Sequence, residues 1–352
     1  MATFGEALEA LEEFRADLVQ AQMSVAVPQA QAMAFSAMAG EAAAGPLAHV
    51  HATGVGIRDD GQFVVKVYMF DAPSVQSAST VPVLSDARQG VAIDVEHLPV
   101  QVAFDRRASR KSVAALVANP GQHQMRHRPV PAGVEIGPLG GKFVGTLGCF
   151  VRRGGDEGGG PLFILSNNHV LANVNRFPVG TPFTQPFSAA SADTIASLSS
   201  FEPILFPAPG SQPRNVIDAA IAVVQDPKKI KTGAMLNIPN YTPQLLAPRP
   251  GMVVTKAGRT TGVTVGMIRA IRVRGVQVNY GTQQMPIIAT FDNAITITGN
   301  ANLPFSNPGD SGSVILEQKS GRPVALLFAG DGATTTACDV SAACARFNVH
   351  PV

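Results

Sequence analysis

A serine, a histidine and an aspartate in this chain are of the residue types that nucleophilic catalysis requires. Ser311 lies in NPGDSGSVIL, between two glycines and directly before an apolar run. A serine hydroxyl is a weak nucleophile at neutral pH and needs a neighbouring base, usually a histidine that a carboxylate orients. Without such companions, the segment would simply be a tight glycine-rich turn.

A candidate base and a candidate carboxylate lie upstream. His169 is found in ILSNNHVLA, where an apolar run is interrupted by polar residues and then resumes, which favours an imidazole at the end of a strand. Asp218 is the only charged residue in the segment 215–225. A carboxylate in so apolar a segment is expected to be at least partly buried, and it then needs a donor such as an imidazole N–H.

The segments that carry these residues indicate a mainly β architecture. From about Val144 onward, short β-branched and apolar runs alternate with glycine and proline, with no long helix before DVSAACARF. Strands at this spacing are typical of a closed barrel or a sandwich. Residues 142–352 are therefore predicted to form one domain, with enough strands for two six-stranded barrels.

The N-terminal region predicts a small α+β domain over residues 1–105. Thr3 and Glu6 have capping-box spacing, and apolar residues recur on one helical face to about residue 20. Further on, Asp59-Asp60-Gly61 separates two β-branched runs, which is a strong hairpin signal. Residues 106–141 are basic and proline-bearing, and we interpret them as a linker that could contain one short helix.

The composition disfavours several classes of function. In 352 residues, 27 Lys and Arg balance 25 Asp and Glu, and there is no Trp, which argues against a nucleic-acid partner. No segment approaches the roughly 20 apolar residues of a spanning helix, and the acidic start MATFGEALEALEEF is unlike a secretory signal. Three scattered cysteines favour reduced thiols. We expect a soluble, cytoplasmic protein without a membrane partner.

Four histidines have side chains of the type that binds metal ions. They are His49 and His51, and His123 and His127. No cysteine or carboxylate completes a recognised spacing around them, so surface positions are favoured. The sequence predicts neither a metal site nor a cofactor.

Taken in order, the blocks SNNHV, DAAIAVV and NPGDSGS resemble the three signature blocks of chymotrypsin-fold (trypsin-like) serine proteases. The separations of 49 residues from His169 to Asp218 and 93 from Asp218 to Ser311 are close to those that this fold requires. Asp193, an alternative carboxylate, stands closer to His169 than the pattern allows. The blocks VTKAGRTTGVTVG and LLFAGDGATTT, with GVGIRDDGQFVVKVY upstream, further resemble bacterial intracellular proteins related to the plant NARROW LEAF proteins.

The resemblance implies a double six-stranded β-barrel that hydrolyses peptide bonds through an acyl-enzyme intermediate. Ser311 would be the nucleophile and His169 the general base and later general acid. Asp218 would hold the imidazole in the required tautomer. The backbone N–H groups of Gly309 and Ser311 would form the oxyanion hole.

The expected substrate site departs from that of trypsin. The resemblance implies that Phe328, Ala329 and Gly330 pair with the substrate backbone. The position six residues before the serine, which is acidic in trypsin, is Phe305 here, so a small or apolar side chain before the scissile bond is favoured. The activation sequence of digestive zymogens is missing, which leaves open what neutralises Asp310.

Two hypotheses about function remain. The first is an intracellular serine endopeptidase that could be latent until activated, with a protein or peptide substrate and a homo-oligomeric assembly. The second is a protease-fold scaffold or binding protein with negligible activity, motivated by Phe305 and by the missing activation sequence. A nucleic-acid binder with an incidental triad would instead show strongly salt-dependent retention.

Overall fold

The computed structural model of the chain describes residues 2–24, 50–70, 90–103, 120–153, 160–300 and 303–352. Residues 106–119 of the predicted linker, and His49, lie outside these ranges. Strand accounts for 44% and helix for 14% of the structure, so the mainly β prediction is confirmed. No helix in the described ranges is long and apolar enough to cross a bilayer.

The described helices are α1 (Phe4–Ser24), α2 (Pro120–His123), α3 (Asn168–Leu171) and α4 (Val340–Phe347). The strands of the first half are β1 (Val50–Ile57), β2 (Phe63–Met69), β3 (Ile93–His97), β4 (Gln101–Val102), β5 (Val130–Ala132), β6 (Glu135–Pro138), β7 (Gly145–Thr146), β8 (Cys149–Arg153), β9 (Leu162–Ser166), β10 (Pro182–Thr184) and β11 (Thr194–Phe201). Those of the second half are β12 (Arg214–Asn215), β13 (Ala220–Val224), β14 (Ile230–Met235), β15 (Val253–Gly258), β16 (Gly262–Arg274), β17 (Val276–Asn279), β18 (Ile288–Phe291), β19 (Ala294–Gly299), β20 (Val314–Glu317), β21 (Pro323–Gly330), β22 (Thr334–Asp339) and β23 (Val349–Pro351).

Six C-terminal strands close into an antiparallel barrel. Going around it, the neighbours are β15, β16, β19, β22, β21 and β20, and β20 pairs again with β15. Val254, Ile268, Ile297 and Leu327, from four of these strands, belong to one buried cluster. The closed hydrogen-bond circuit leaves these six strands without a free edge along the paired segments.

The other barrel is an open, curled sheet of eight strands. Its order is β23, β8, β9, β13, β11, β10, β6 and β7. The predicted double-barrel fold is confirmed, with the difference that the first barrel is a half-barrel. A single apolar cluster contains residues of both units, among them Phe183 and Phe328, so the two barrels share a core.

The N-terminal α+β layer is built on the second barrel. The predicted capping box is present at the start of α1, where the N–H of Thr3 donates to Glu6 Oε2 at 2.6 Å. Leu11 and Phe14 on α1 are buried with apolar residues of β1 and β2. These two strands form the predicted hairpin, and β1 also pairs with the second half of β16. The layer therefore extends the sheet of the barrel.

Three short strands pair outside the regions to which the sequence assigned them. Within the predicted linker, β5 pairs with β14, and β6 pairs with β7 and β10 of the first sheet. Within the predicted N-terminal domain, β4 lies between β17 and β21. The partners of β4 are more than 170 residues away, so no local pattern could indicate them. The domain boundaries at 105 and 141 stay predictions.

Candidate active site

The pairing of β9 with β13 brings His169 and Asp218 together. Ser166, the last residue of β9, lies opposite Ala220, the first residue of β13. His169 follows in the single turn of α3, and Asp218 lies just before β13. Nδ1 of His169 is 2.6 Å from Oδ2 of Asp218, and the backbone N–H of His169 donates to Oδ1 at 3.2 Å. Both side chains are fully buried.

Tyr280 supplies Asp218 with a further donor that sequence reasoning missed. Its hydroxyl donates to Oδ2 of Asp218 at 2.8 Å. Burial, and then the neighbouring carboxylate, raise the pKa of Tyr280 well above its usual range, so the hydroxyl keeps its proton. Two donors from His169 and one from Tyr280 compensate for the loss of water around Asp218. Nothing in the sequence around Tyr280 pointed to this contact.

Glycines let the turn of Ser311 approach the turn of the histidine. Gly312 has φ +92°, and a Cβ there would lie 2.1 Å from the hydroxyl of Ser166, at the end of β9. On the other side, a Cβ on Gly145 would lie 2.6 Å from the side chain of Val170 and 3.2 Å from the carbonyl oxygen of Ser311. Side chains at these two glycines would push the turn of Ser311 away from the end of β9 and from the turn that carries His169.

A buried lysine provides the counter-ion of Asp310. Nζ of Lys256, on β15, lies 3.3 Å from Oδ2 of Asp310, and both side chains are fully buried. The carboxylate also accepts from the N–H groups of Thr260 at 2.8 Å, Thr261 at 3.1 Å and Asn307 at 3.0 Å. This answers the question that the missing activation sequence raised, because an internal cation takes the place of a freed N-terminus.

Lys256 could have been found from the sequence by the argument applied to Asp218. It is the only charged residue in the strand VVTKAG, and a lone charge in such a strand is expected to need a buried partner. Burial lowers the pKa of Lys256, and Asp310 opposes this shift. The hydroxyl of Thr261 accepts from the ammonium and donates to Oδ2 of Asp310 at 2.6 Å, so it bridges the pair.

Phe305, expected in the substrate pocket, lies in the core of the second barrel. Its side chain is 1% exposed, and its ring centroid is 5.9 Å from Nζ of Lys256. The cavity beside Ser311, about 410 Å³, is lined instead by the following residues, Ser306 and Asn307. Phe305 lies in a bend between β19 and β20 and not in a strand, so its position relative to the serine does not indicate which way its side chain faces.

Only part of the stretch predicted to pair with the substrate backbone, Phe328 to Gly330, lies at the cavity. Ala329 and Gly330 line the cavity beside Ser311. Phe328 is fully buried, and its ring lies 4.7 Å from that of Phe291. The edge of this stretch is used within the chain itself, since Gly330 pairs with Val102 of β4.

Other sequence candidates lie away from these contacts. Asp193, the alternative to Asp218, pairs with Arg126 at 3.0 Å. His123, expected at the surface, is buried, and its Nδ1 donates to the carbonyl of Gly133 at 2.7 Å. His51 is partly buried and stacks on Phe70. Among the described residues, no group of three or more His, Cys, Asp or Glu could hold a metal ion.

Comparisons with known proteins give the following similarities. No family model and no curated protein matches the chain. Among solved structures, Thermobifida fusca protease A is 16% identical, and the match covers 63% of this chain and 98% of that protein with a TM-score of 0.44. Cellulomonas bogoriensis chymotrypsin and Nocardiopsis protease are each 18% identical. Both matches cover 63% of this chain and 98% of the other protein, with a TM-score of 0.43.

Proposed function

We propose that the chain is a serine endopeptidase with Ser311 as nucleophile and His169 as general base. The observation that carries the proposal is the buried 2.6 Å hydrogen bond between His169 Nδ1 and Asp218 Oδ2. A carboxylate accepts, so Nδ1 carries the proton and Nε2 has the lone pair that can take a proton from a serine. An imidazole held in this way can accept the serine proton when the serine attacks a carbonyl carbon.

The proposed reaction has two halves. In the first, His169 takes the proton of Ser311 as the hydroxyl attacks the carbonyl carbon of the scissile bond, and then gives it to the leaving amine. In the second, His169 takes a proton from water as the water attacks the carbonyl carbon of the acyl-enzyme. His169 then returns the proton to Ser311 as the acid product leaves. The N–H groups of Gly309 and Ser311 are the proposed oxyanion donors. The Lys256–Asp310 pair supports this role because it fixes the loop that carries both groups.

The proposed substrate is an extended peptide that pairs with the edge at Ala329 and Gly330. The nearby cavity, lined by Ser306 and Asn307, suits a small or uncharged side chain before the scissile bond. We retain the expectations of a cytoplasmic location, a homo-oligomer and a relationship to the bacterial NARROW LEAF-like group, the last on the sequence blocks alone.

A second candidate function is peptide binding without turnover. It is favoured by one contact, since the hydroxyl of Ser311 donates to the carbonyl oxygen of Ala103 at 3.2 Å. A nucleophile engaged by its own chain in this way is consistent either with a latent enzyme or with a scaffold that does not cleave.

A fluorophosphonate probe distinguishes the two candidates. Labelling of the wild-type chain that is abolished by Ser311→Ala and reduced by His169→Ala is the expected result, because the probe needs an activated serine. Asp193→Asn is the matched control, since it removes the alternative carboxylate and should leave labelling intact. A latent enzyme would also resist the probe while Ala103 holds Ser311. The endopeptidase is therefore refuted if the folded chain resists labelling at every pH and probe concentration both as the wild type and with Gln101→Ala, which removes side-chain hydrogen bonds of the segment that carries Ala103.

A further inference from the structure

The strand β4 fills a slot between two other strands beside Ser311. It runs parallel to β17, where Gln101 lies opposite Val278, and antiparallel to β21, where Val102 lies opposite Gly330. The N–H of Ala103 donates to the carbonyl of Asn279 at 3.2 Å. An extended segment with a strand on each side has the backbone contacts that a bound peptide makes when it is added to a sheet.

Gln101 occupies a polar subsite within this slot, between the buried hydroxyl of Thr336 and the exposed carboxylate of Asp331. Its side chain is fully buried, and its Nε2 donates to Oδ2 of Asp331 at 2.8 Å. The same nitrogen donates to the carbonyl of Pro99 at 3.0 Å, and Oε1 accepts from the hydroxyl of Thr336 at 3.2 Å. Both amide protons and the carbonyl oxygen therefore have partners.

Side-chain burial alternates along β4, as it does along an extended peptide bound in a cleft. Gln101 and Ala103 are buried at 0% and 4% exposure, and Val102 between them is 39% exposed. The carbonyl of Ala103 contacts the hydroxyl of Ser311. Gln101 is thus two residues before the carbonyl that meets the candidate nucleophile.

We infer that residues 99–103 occupy the binding site of the substrate, and that the subsite of Gln101 selects a glutamine in the peptide that displaces them. This inference rests on the proposed function, because it assigns the substrate class and the latency of the same cleft. The internal strand competes with every peptide, so the cleft opens only when β4 leaves it.

The chemistry of the subsite explains why glutamine fits. Oδ1 of Asp331 accepts from the N–H groups of Ala333 and Thr334, which leaves Oδ2 to accept from the occupant, and the hydroxyl of Thr336 donates. An occupant with a donor and an acceptor on one side chain therefore satisfies both groups. Glutamine offers both, leucine neither, and glutamate would place a second carboxylate against Asp331. Lysine could satisfy Asp331 but offers no acceptor to Thr336.

Peptide binding tests the inference without any need for catalysis. The full chain carrying Ser311→Ala is titrated into a fluorescent peptide with the sequence PVQVA, and anisotropy is measured. Gln101→Ala in this background should tighten binding by roughly tenfold or more, because it removes side-chain hydrogen bonds that hold the internal competitor. Gln101→Leu, which removes the same side-chain hydrogen bonds but keeps most of the side-chain volume, is a second way to loosen β4 if the first variant folds poorly. Gln225→Ala, which removes a hydrogen bond to Ser197 in the first sheet, is the matched control.

Variant peptides test the subsite itself. On the Gln101→Ala background, PVQVA should bind roughly tenfold more tightly than PVLVA and PVEVA, since each loses hydrogen bonds to Asp331 or Thr336. Equal binding of all three would overturn the assignment of the subsite. PVKVA that binds as tightly as PVQVA would overturn the choice of glutamine, because charge alone would then suffice.

A reversible disulfide between β4 and β21 tests whether β4 and the peptide compete for the same site. Val102 and Gly330 are directly opposite in an antiparallel pair, at a separation that a disulfide can span. With Val102→Cys and Gly330→Cys in the Ser311→Ala chain, oxidation should abolish binding of PVQVA and reduction should restore it, while each single variant is insensitive. An oxidised chain that still binds the peptide would show that β4 does not occupy the peptide site.

These measurements separate the inference from the proposed function. If PVQVA binds as expected but the Gln101→Ala chain with its serine intact is not labelled by fluorophosphonate, the site is a peptide-binding cleft and the endopeptidase is refuted. If that chain is labelled but neither Gln101→Ala nor the disulfide alters peptide binding, the inference is wrong and the endopeptidase stands.

Discussion

Replacement of Lys256 by methionine should destabilise the second barrel and the turn of Ser311 together. The substitution keeps most of the side-chain volume but removes the ammonium that lies 3.3 Å from Asp310. Asp310 would then be a buried carboxylate without a counter-ion. It would keep its hydrogen bonds from Thr260, Thr261 and Asn307.

The expected cost follows from burial. Removing one partner of a buried ion pair typically costs about 3–5 kcal/mol, because the remaining charge is uncompensated. Because Asp310 retains its hydrogen bonds, we expect a loss of about 3 kcal/mol in the free energy of unfolding, at the lower end of this range. Lys66→Met is the matched control, since Lys66 is only 3% exposed but its partners Asp94 and Glu96 are 25% and 43% exposed. Water can solvate those carboxylates, so we expect about 1 kcal/mol or less there.

Urea unfolding at pH 7.5, followed by fluorescence or circular dichroism, measures both costs as changes in the free energy of unfolding. For a chain of 352 residues, an entropy of unfolding of about 2.1 cal/mol/K per residue converts about 3 kcal/mol into a fall in Tm of roughly 4 °C. Fluorophosphonate labelling of the folded Lys256→Met chain should also slow, because the loop that carries Ser311 loses its support. Labelling thus measures the reactivity of Ser311, and unfolding measures the stability of the chain, independently of each other.

A double-mutant cycle shows whether the pair is the cause. Asp310→Asn alone leaves a buried ammonium, and the double variant leaves no buried charge, so the two changes should be less costly together than their sum by about 2 kcal/mol or more. Costs that add to within about 0.5 kcal/mol, or a Lys256→Met chain as stable as Lys66→Met, would refute the reasoning.

Three further predictions concern other contacts. Tyr280→Phe removes the 2.8 Å donor of Asp218 and should slow fluorophosphonate labelling roughly tenfold with little change in fold. Gly312→Ala places a Cβ 2.1 Å from the hydroxyl of Ser166 at φ +92°, and should lower the free energy of unfolding by about 3 kcal/mol or more in urea unfolding. Burial lowers the pKa of His123 from 6.5, so below that pH the unfolded state binds a proton that the folded state does not. The free energy of unfolding should therefore fall as pH drops through and below 6.5, and His123→Gln should reduce this slope in unfolding measured across pH.

Each of these predictions has a matched control. Tyr68→Phe removes another buried tyrosine hydroxyl, 3.3 Å from Thr296, and should not slow labelling. Gly210→Ala has φ +76° but nothing within 4 Å of the new Cβ, so it measures backbone strain alone, about 1 kcal/mol. His350→Gln removes an exposed imidazole and separates the effect of burial from the loss of a histidine. A variant that behaves like its control contradicts the corresponding prediction.

The sequence could predict features that depend on local patterns. The cap of α1 and the hairpin of β1 and β2 follow from residues a few positions apart, and both are present. The mainly β double barrel follows from the recurrence of short strands and turns. The surface position expected for His123 was wrong, because a lone histidine in a short polar segment does not reveal whether a distant strand covers it.

The sequence by itself determined which residue types are available for chemistry and in what order. Lone charges in apolar segments, at Asp218 and Lys256, indicate that each needs a buried partner. The resemblance already paired Asp218 with His169, but only the tertiary structure decided that Tyr280 is a further partner of Asp218 and that Asp310 is the partner of Lys256. It also decided that β4 lies in the cleft beside Ser311. The physical reason is that burial makes a partner obligatory without specifying it, and the choice depends on which strands close the barrels.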